Sequence, residues 1–126
     1  MTPEQMKQRT KAYAVRIVNL VDALPNTRTC SRLGQQLLDS ETSVAANYRA
    51  VCRAKSLRDF INKLRIVEEE CDESLFWIDL LVTTGKIKES RVRSLMDEGD
   101  QLLAIIVASA KTARSSSRSS IAHRKS

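Results

Sequence analysis

The segment from Leu75 to Val82 reads Leu-Phe-Trp-Ile-Asp-Leu-Leu-Val, and seven of its eight residues are apolar. It ends a longer stretch in which one stripe of residues recurs in alternating steps of four and three. The stripe, called the seam below, consists of Phe60, Leu64, Val67, Cys71, Ser74, Ile78 and Leu81. This heptad spacing predicts a helix that packs along one side inside a helical bundle.

Two apolar residues of the same helix, Phe76 and Leu80, fall on the side away from the seam. One core cannot bury both faces of one helix. We therefore expect Phe76 and Leu80 to lie in an interface with another copy of the chain.

Periodicity and punctuation predict four helices joined by short connections, which is an all-α, up-down four-helix bundle over residues 1–113. Thr2-Pro3-Glu4-Gln5 is typical of a helix start, and Pro25-Asn26 ends that helix. The second helix starts near Thr27 and carries polar residues, Ser40 and Glu41, on its apolar stripe. The remaining predicted boundaries are a start at Ser56, an end at Gly85, and a fourth helix from about Ser90 to Ala113.

The net charge of +6 is concentrated near the end of the chain. Residues 111–126 contain five basic residues and no acidic residue, whereas the preceding residues carry nearly equal numbers of both. Residues 114–126 are rich in Ser and Arg and contain little apolar surface, so we predict a disordered basic tail there.

An up-down order brings the N-terminus, the turn between the second and third helices, and the tail to one end of the bundle. Basic residues collect at this end and also at the opposite end, whereas acidic residues lie at mid-height, so both end surfaces attract phosphate groups. The predicted nucleic-acid contacts are Arg49, Arg53, Lys55, Arg58, Arg114, Arg118, Arg124 and Lys125.

The residues show no pattern typical of catalysis or of a metal or cofactor site, so we expect no enzyme activity, no cofactor and no metal. The only His lies in the tail, and the three cysteines form no Cys-x-x-Cys pair. We interpret Cys30, Cys52 and Cys71 as buried, reduced thiols of a cytoplasmic protein. No apolar run approaches the roughly 20 residues that cross a membrane. Ser43 and Asn47, one turn apart, are interpreted as a buried polar pair that hydrogen-bonds between helices.

Three stretches resemble the bacterial four-helix-bundle proteins encoded by intervening sequences in 23S ribosomal RNA genes. They are residues 43–50 (Ser-Val-Ala-Ala-Asn-Tyr-Arg-Ala), residues 53–64 and residues 69–77, and the closing residues 107–114 also look like that family's last helix. The resemblance implies an up-down bundle that assembles as a homopentamer. It also implies structural roles for four matching residues: Ser43, Asn47, Phe60 and Glu73.

The relatives implied by this resemblance include the accessory variability protein of diversity-generating retroelements, a basic pentamer that binds nucleic acid and a reverse transcriptase. Many relatives carry Glu-Gly or Glu-Ala where this chain has Arg49-Ala50, which makes this turn more basic. Two hypotheses follow. The protein is a non-enzymatic accessory protein that binds nucleic acid, or it is an interaction scaffold that recruits a partner enzyme such as a reverse transcriptase or a nuclease.

Overall fold

The computed structural model describes residues 1–125, with side chains described through residue 118. It contains four helices and, within residues 1–125, no strand. The helices are α1 (Pro3–Asp22), α2 (Arg28–Val51), α3 (Leu57–Thr83) and α4 (Glu89–Lys125). The predicted all-α fold with four helices is confirmed.

The predicted helix starts are present as hydrogen-bonded caps. The Thr2 hydroxyl accepts the Gln5 N–H at 3.1 Å, and the Gln5 side chain accepts the Thr2 N–H at 2.8 Å, which is a complete capping box. The Ser56 hydroxyl accepts the Asp59 N–H at 3.1 Å and so begins α3. Gly85, with a φ of 75°, ends the same helix in the left-handed conformation that glycine adopts without strain.

The fourth helix extends further than its apolar pattern indicates. It continues beyond Ala113 to Lys125, so the boundary between bundle and tail at residues 113 and 114 does not coincide with a helix end. The described side chains of this extension reach Arg118. The disorder of residues 114–126 in solution stays a prediction.

The helices pack as antiparallel neighbours around one core: α1 on α2, α2 on α3, α3 on α4, and α4 back on α1. Six of the seven seam residues are buried in this core: Leu64, Val67, Cys71, Ser74, Ile78 and Leu81. Phe60, the first seam residue, is only half-buried because it lies near the end of the bundle, where fewer neighbours cover it. The seam register is otherwise as the spacing predicts.

A bidentate ion pair joins α1 to α4, which share the smallest of the four helix contacts. The Arg9 guanidinium donates to both carboxylate oxygens of Glu98, at 2.8 Å and 2.6 Å. This hydrogen bonding lowers the pKa of the Glu98 carboxyl. Arg9 is thereby committed to the fold and is not free to bind a ligand.

The expectation of three buried cysteines is wrong for one of them. Cys30 and Cys71 are buried, but Cys52 is exposed. Cys52 follows the last residue of α2 and lies where the chain leaves the bundle to turn, so no neighbouring helix covers it.

The centre of the core contains a carboxyl group with no partner. Glu41 is 0% exposed, and neither of its carboxylate oxygens has a hydrogen-bond partner within the described side chains. The Tyr13 hydroxyl is also buried without a partner. Burial raises the pKa of Glu41 to about 8. The Ser74 hydroxyl on the facing helix donates to Ser40 and to the Glu70 carbonyl instead of to Glu41. The polar middle of α2 noted in the sequence is therefore a buried, electrostatically unfavourable site.

We predict that Glu41 makes the stability of the fold depend on pH. The pKa of its carboxyl rises from 4.5 in the unfolded chain to about 8 in the fold. Between these values the folded chain keeps a proton that the unfolded chain has released. The free energy of unfolding should therefore fall as the pH rises, by up to about 1.4 kcal/mol per pH unit. Urea denaturation across this window measures the slope.

Glu41→Gln should flatten that slope, whereas Glu69→Gln, at an exposed position of α3, should leave it in place. Equal slopes for the wild type and Glu41→Gln would show that the Glu41 carboxyl is not held in the core.

Candidate nucleic-acid interface

The turn between α2 and α3 displays four of the predicted cations at one end of the bundle. Arg49 lies in the last turn of α2, Arg53 and Lys55 lie in the connection, and Arg58 lies in the first turn of α3. All four side chains are exposed. Residue 1 and the start of α1 lie at the same end, because α1 and α2 are antiparallel. We call this the N-terminal end.

These four cations carry charge that no carboxylate neutralises within the described side chains. The ion pairs of that part of the chain join Lys7 to Glu4, Arg9 to Glu98, and Lys63 to Asp59. Asp59, the acid nearest in sequence, is occupied twice: it also accepts the backbone N–H of Lys55 at 3.0 Å. Both bonds lower the pKa of the Asp59 carboxyl. The guanidinium and ammonium groups of the turn therefore remain available to phosphates.

A basic groove between α1 and α2 extends the same surface along the side of the bundle. It has a volume of about 600 Å³ and a floor of small residues: Ala14, Ala45 and Ala46. Its rim carries Lys7, Lys11 and Arg49. Glu4 lies on the rim too and is paired with Lys7 at 3.1 Å. Lys11 and Arg49 are thus the unpaired cations of the groove.

The up-down order places Lys7 and Lys11 at this basic end, although they are not among the predicted nucleic-acid contacts. Their spacing of four residues places them on one face of α1, and this signal is present in the sequence. What the sequence does not give is the rotation of α1 about its axis relative to α2, which decides that this face borders Arg49.

The start of the predicted tail adds cations along α4. Lys111, Arg114 and Arg118 line a shallow hollow on that helix. Arg114 is half-buried and Arg118 is exposed. Arg124 and Lys125 lie outside the described side chains. The antiparallel order brings this part of α4 to the N-terminal end, as predicted.

The pair of Ser43 and Asn47 is built differently from the expectation. The Asn47 amide donates to the Ser43 carbonyl and to the Ser43 hydroxyl, both at 2.8 Å, and both residues are half-buried. The bonds stay within α2 and do not cross to another helix, which corrects the expected contact between helices. They stabilise one turn of α2 directly before the basic turn.

Phe60 and Glu73, the other residues matched to structural roles, lie on different parts of α3. Phe60 packs partly against the core. Glu73 is exposed and accepts the indole N–H of Trp77 at 3.3 Å, one turn further along. Glu73 therefore orients a half-buried aromatic that packs against the core and does not contribute to the basic surface.

The two residues expected in an interface between copies lie off the core, as the register requires. Phe76 is 54% exposed and Leu80 is half-buried. Ile66, 45% exposed, lies on the same outer face of α3. Ile66 lies about 15 Å along the helix from Phe76, and exposed Glu69 and Glu73 lie between them. The outer face of α3 therefore carries separate exposed apolar side chains.

The described residues show neither a metal-binding cluster nor a membrane-spanning helix. No three His, Cys, Asp or Glu side chains converge there in a way that could hold a metal ion. None of the helices, over the residues described, is long and apolar enough to cross a membrane.

These features define a class: an up-down helical bundle with a cation-rich end. The family model for 23S rRNA-intervening sequence proteins matches residues 4–108, and the chain belongs to that family. It is also similar to the crystal structure of a protein with unknown function from the S23 ribosomal protein family of Bacteroides thetaiotaomicron. That similarity has 33% sequence identity and a TM-score of 0.81, and covers 88% of this chain and 99% of the other. No curated protein matches the chain.

Proposed function

We propose that this protein is a non-enzymatic accessory protein that binds nucleic acid through its N-terminal end. The observation that carries the proposal is the group of exposed cations in the turn between α2 and α3 that have no carboxylate partner: Arg49, Arg53, Lys55 and Arg58. Cations already paired with carboxylates gain little from a phosphate, whereas unpaired ones release condensed counterions from the nucleic acid when they bind.

Two further features support the same end of the molecule. Lys11 and Arg49 continue the positive surface into the groove between α1 and α2, and Lys111, Arg114 and Arg118 continue it along α4. The opposite end also carries exposed cations with no carboxylate partner among the described side chains, and the tail distinguishes the N-terminal end from it. The cations of the opposite end are Arg28, Arg32, Lys86, Lys88, Arg91 and Arg93. The proposal therefore predicts a difference between the two ends.

Reversing charge at the N-terminal end should weaken binding more than reversing it at the opposite end. Arg53→Glu with Arg58→Glu changes the net charge by the same amount as Arg28→Glu with Arg32→Glu, and all four side chains are exposed. Binding of labelled RNA and DNA, measured by fluorescence anisotropy over a salt series, should show the larger loss for the first pair. Its salt slope should fall by roughly 0.7–0.9 for each phosphate contact removed. Equal losses for the two pairs would mean that net charge alone drives binding.

Removal of residues 114–126 should also weaken binding. The truncation deletes Arg114, Arg118, Arg124 and Lys125. Affinity and salt slope should both fall, while the melting temperature and the oligomer size stay unchanged because the segment has little apolar surface to bury. A truncated chain that binds with wild-type affinity and slope would remove the tail from the interface.

A second candidate function is favoured by the outer face of α3. Phe76 is exposed there, one turn before half-buried Leu80, and a second copy or a partner protein would cover both side chains. We propose that it joins copies of the chain in a homopentamer, which would repeat the N-terminal end several times on one surface and raise affinity through avidity. A scaffold that recruits a partner enzyme would use the same face.

The combination of Phe76→Glu and Leu80→Glu should break the oligomer. Each buried apolar side chain contributes on the order of 2 kcal/mol, and two buried charges add a desolvation cost. Light scattering measures the mass of each form, and Val15→Glu on α1 serves as an exposed control. A wild type that is monomeric at high concentration contradicts this assembly.

A further inference from the structure

An apolar depression lies within the N-terminal end, beside the turn cations. Its volume is about 620 Å³, and it is bordered by the start of α1, the turn between α2 and α3, and α4. Half-buried Phe60 forms part of its wall, together with Val51, Leu57, Ile105 and Tyr48, the last of which is buried. Leu57 is 42% exposed. Depressions of roughly 300–1,000 Å³ are the size that receives small organic groups.

The depression is lined by no acidic residue, and one cation lines it directly. Lys55 belongs to its lining. Arg53 directly follows Cys52, and Arg58 directly follows Leu57, both of which line it. The two nearest acids are already paired: Glu4 with Lys7 at 3.1 Å, and Asp59 with Lys63 at 2.6 Å. The depression is apolar and partly aromatic, and the cations near it are not neutralised by carboxylates. It is therefore complementary to a ligand that joins a flat apolar ring to an anionic group.

A nucleotide that is not base-paired has this combination. In a duplex the bases are stacked and paired inside the helix, so a protein surface reaches mainly phosphates and groove edges. In a single strand the base can turn outward and lie against an aromatic ring while its phosphates contact Arg and Lys. The turn cations alone would bind either form. The depression between them adds a contact that only an unpaired base can make.

We propose that the N-terminal end binds single-stranded nucleic acid, or an unpaired loop, and places a base in the depression against Phe60. The inference rests on the proposed nucleic-acid function and restricts the ligand to strands or loops whose bases are unpaired. The base and the phosphodiester are common to RNA and DNA, so the polymer is left to the experiment. Phe60, matched at first to a structural role, also acts as a stacking surface.

The test compares four ligands of the same length and label: single-stranded RNA, single-stranded DNA, duplex RNA and an abasic strand. Anisotropy with the full-length protein should give tighter binding to the single strands than to the duplex or the abasic strand. The tighter of the two single strands identifies the polymer.

Phe60→Ala should weaken binding of the single strand by about fivefold or more, which is the lower range for loss of one base stack. Binding of the abasic strand and the salt slope should not change, because the cations are intact. Since Phe60 touches the core, Leu57→Ala at an exposed position provides a second variant with the same expected direction. Val15→Ala, 53% exposed on α1, is the matched control and should bind like the wild type.

The outcomes separate this inference from the proposed function. If the duplex and the abasic strand bind as tightly as the single strand, and Phe60→Ala and Leu57→Ala bind normally, the depression is not a base site although the basic end still binds nucleic acid. If Leu57→Ala reduces the oligomer mass and leaves binding unchanged, a second copy covers the depression and the inference is overturned. If no ligand binds with a measurable salt slope, the proposed function itself fails.

Discussion

The burial of one stripe of α3 is the constraint on which the rest of the molecule depends. Leu64, Val67, Cys71, Ile78 and Leu81 are all nearly inaccessible to water. Removing such side chains from water supplies the main driving force for folding, at about 25 cal/mol per Å² of apolar surface. Covering this stripe packs α3 between α2 and α4. The short connections then make neighbouring helices antiparallel. That order decides which turns share an end, and therefore where the cations collect.

The fold could be predicted from the sequence because its signals are local. Thr2, Ser56 and Gly85 mark helix boundaries by chemistry that acts over three or four residues, and the alternating seam gives the buried face of α3. The end of α4 could not be predicted in this way. Arg114 to Arg118 continue the helix without an apolar stripe, and periodicity is a poor guide where packing does not decide the conformation.

The candidate site was predictable in composition but not in shape. The cations from Arg49 to Arg58 could be assigned to one end from the up-down order alone. The groove that joins Lys11 to Arg49 depends on how α1 is rotated against α2, and the depression beside Phe60 depends on how far that ring is covered. The burial of Cys52 was predicted wrongly for a related reason. Cys52 lies one residue past the end of α2, where no helix covers it. Glu41 is the opposite case to Cys52. The apolar spacing of α2 correctly placed Glu41 on the buried stripe, although its side chain is ionisable and has no hydrogen-bond partner there among the described side chains.

We propose above all that nucleic acid binds at the N-terminal end of the bundle. Hydrogen–deuterium exchange with mass spectrometry, on the full chain with and without a generic single-stranded RNA, tests it most directly because it locates the contact without any substitution. With RNA bound, backbone amides of residues 49–60 and of the start of α1 should exchange more slowly, and those of residues 84–93 at the opposite end should be unchanged. Protection confined to residues 84–93, or to the outer face of α3, would contradict it.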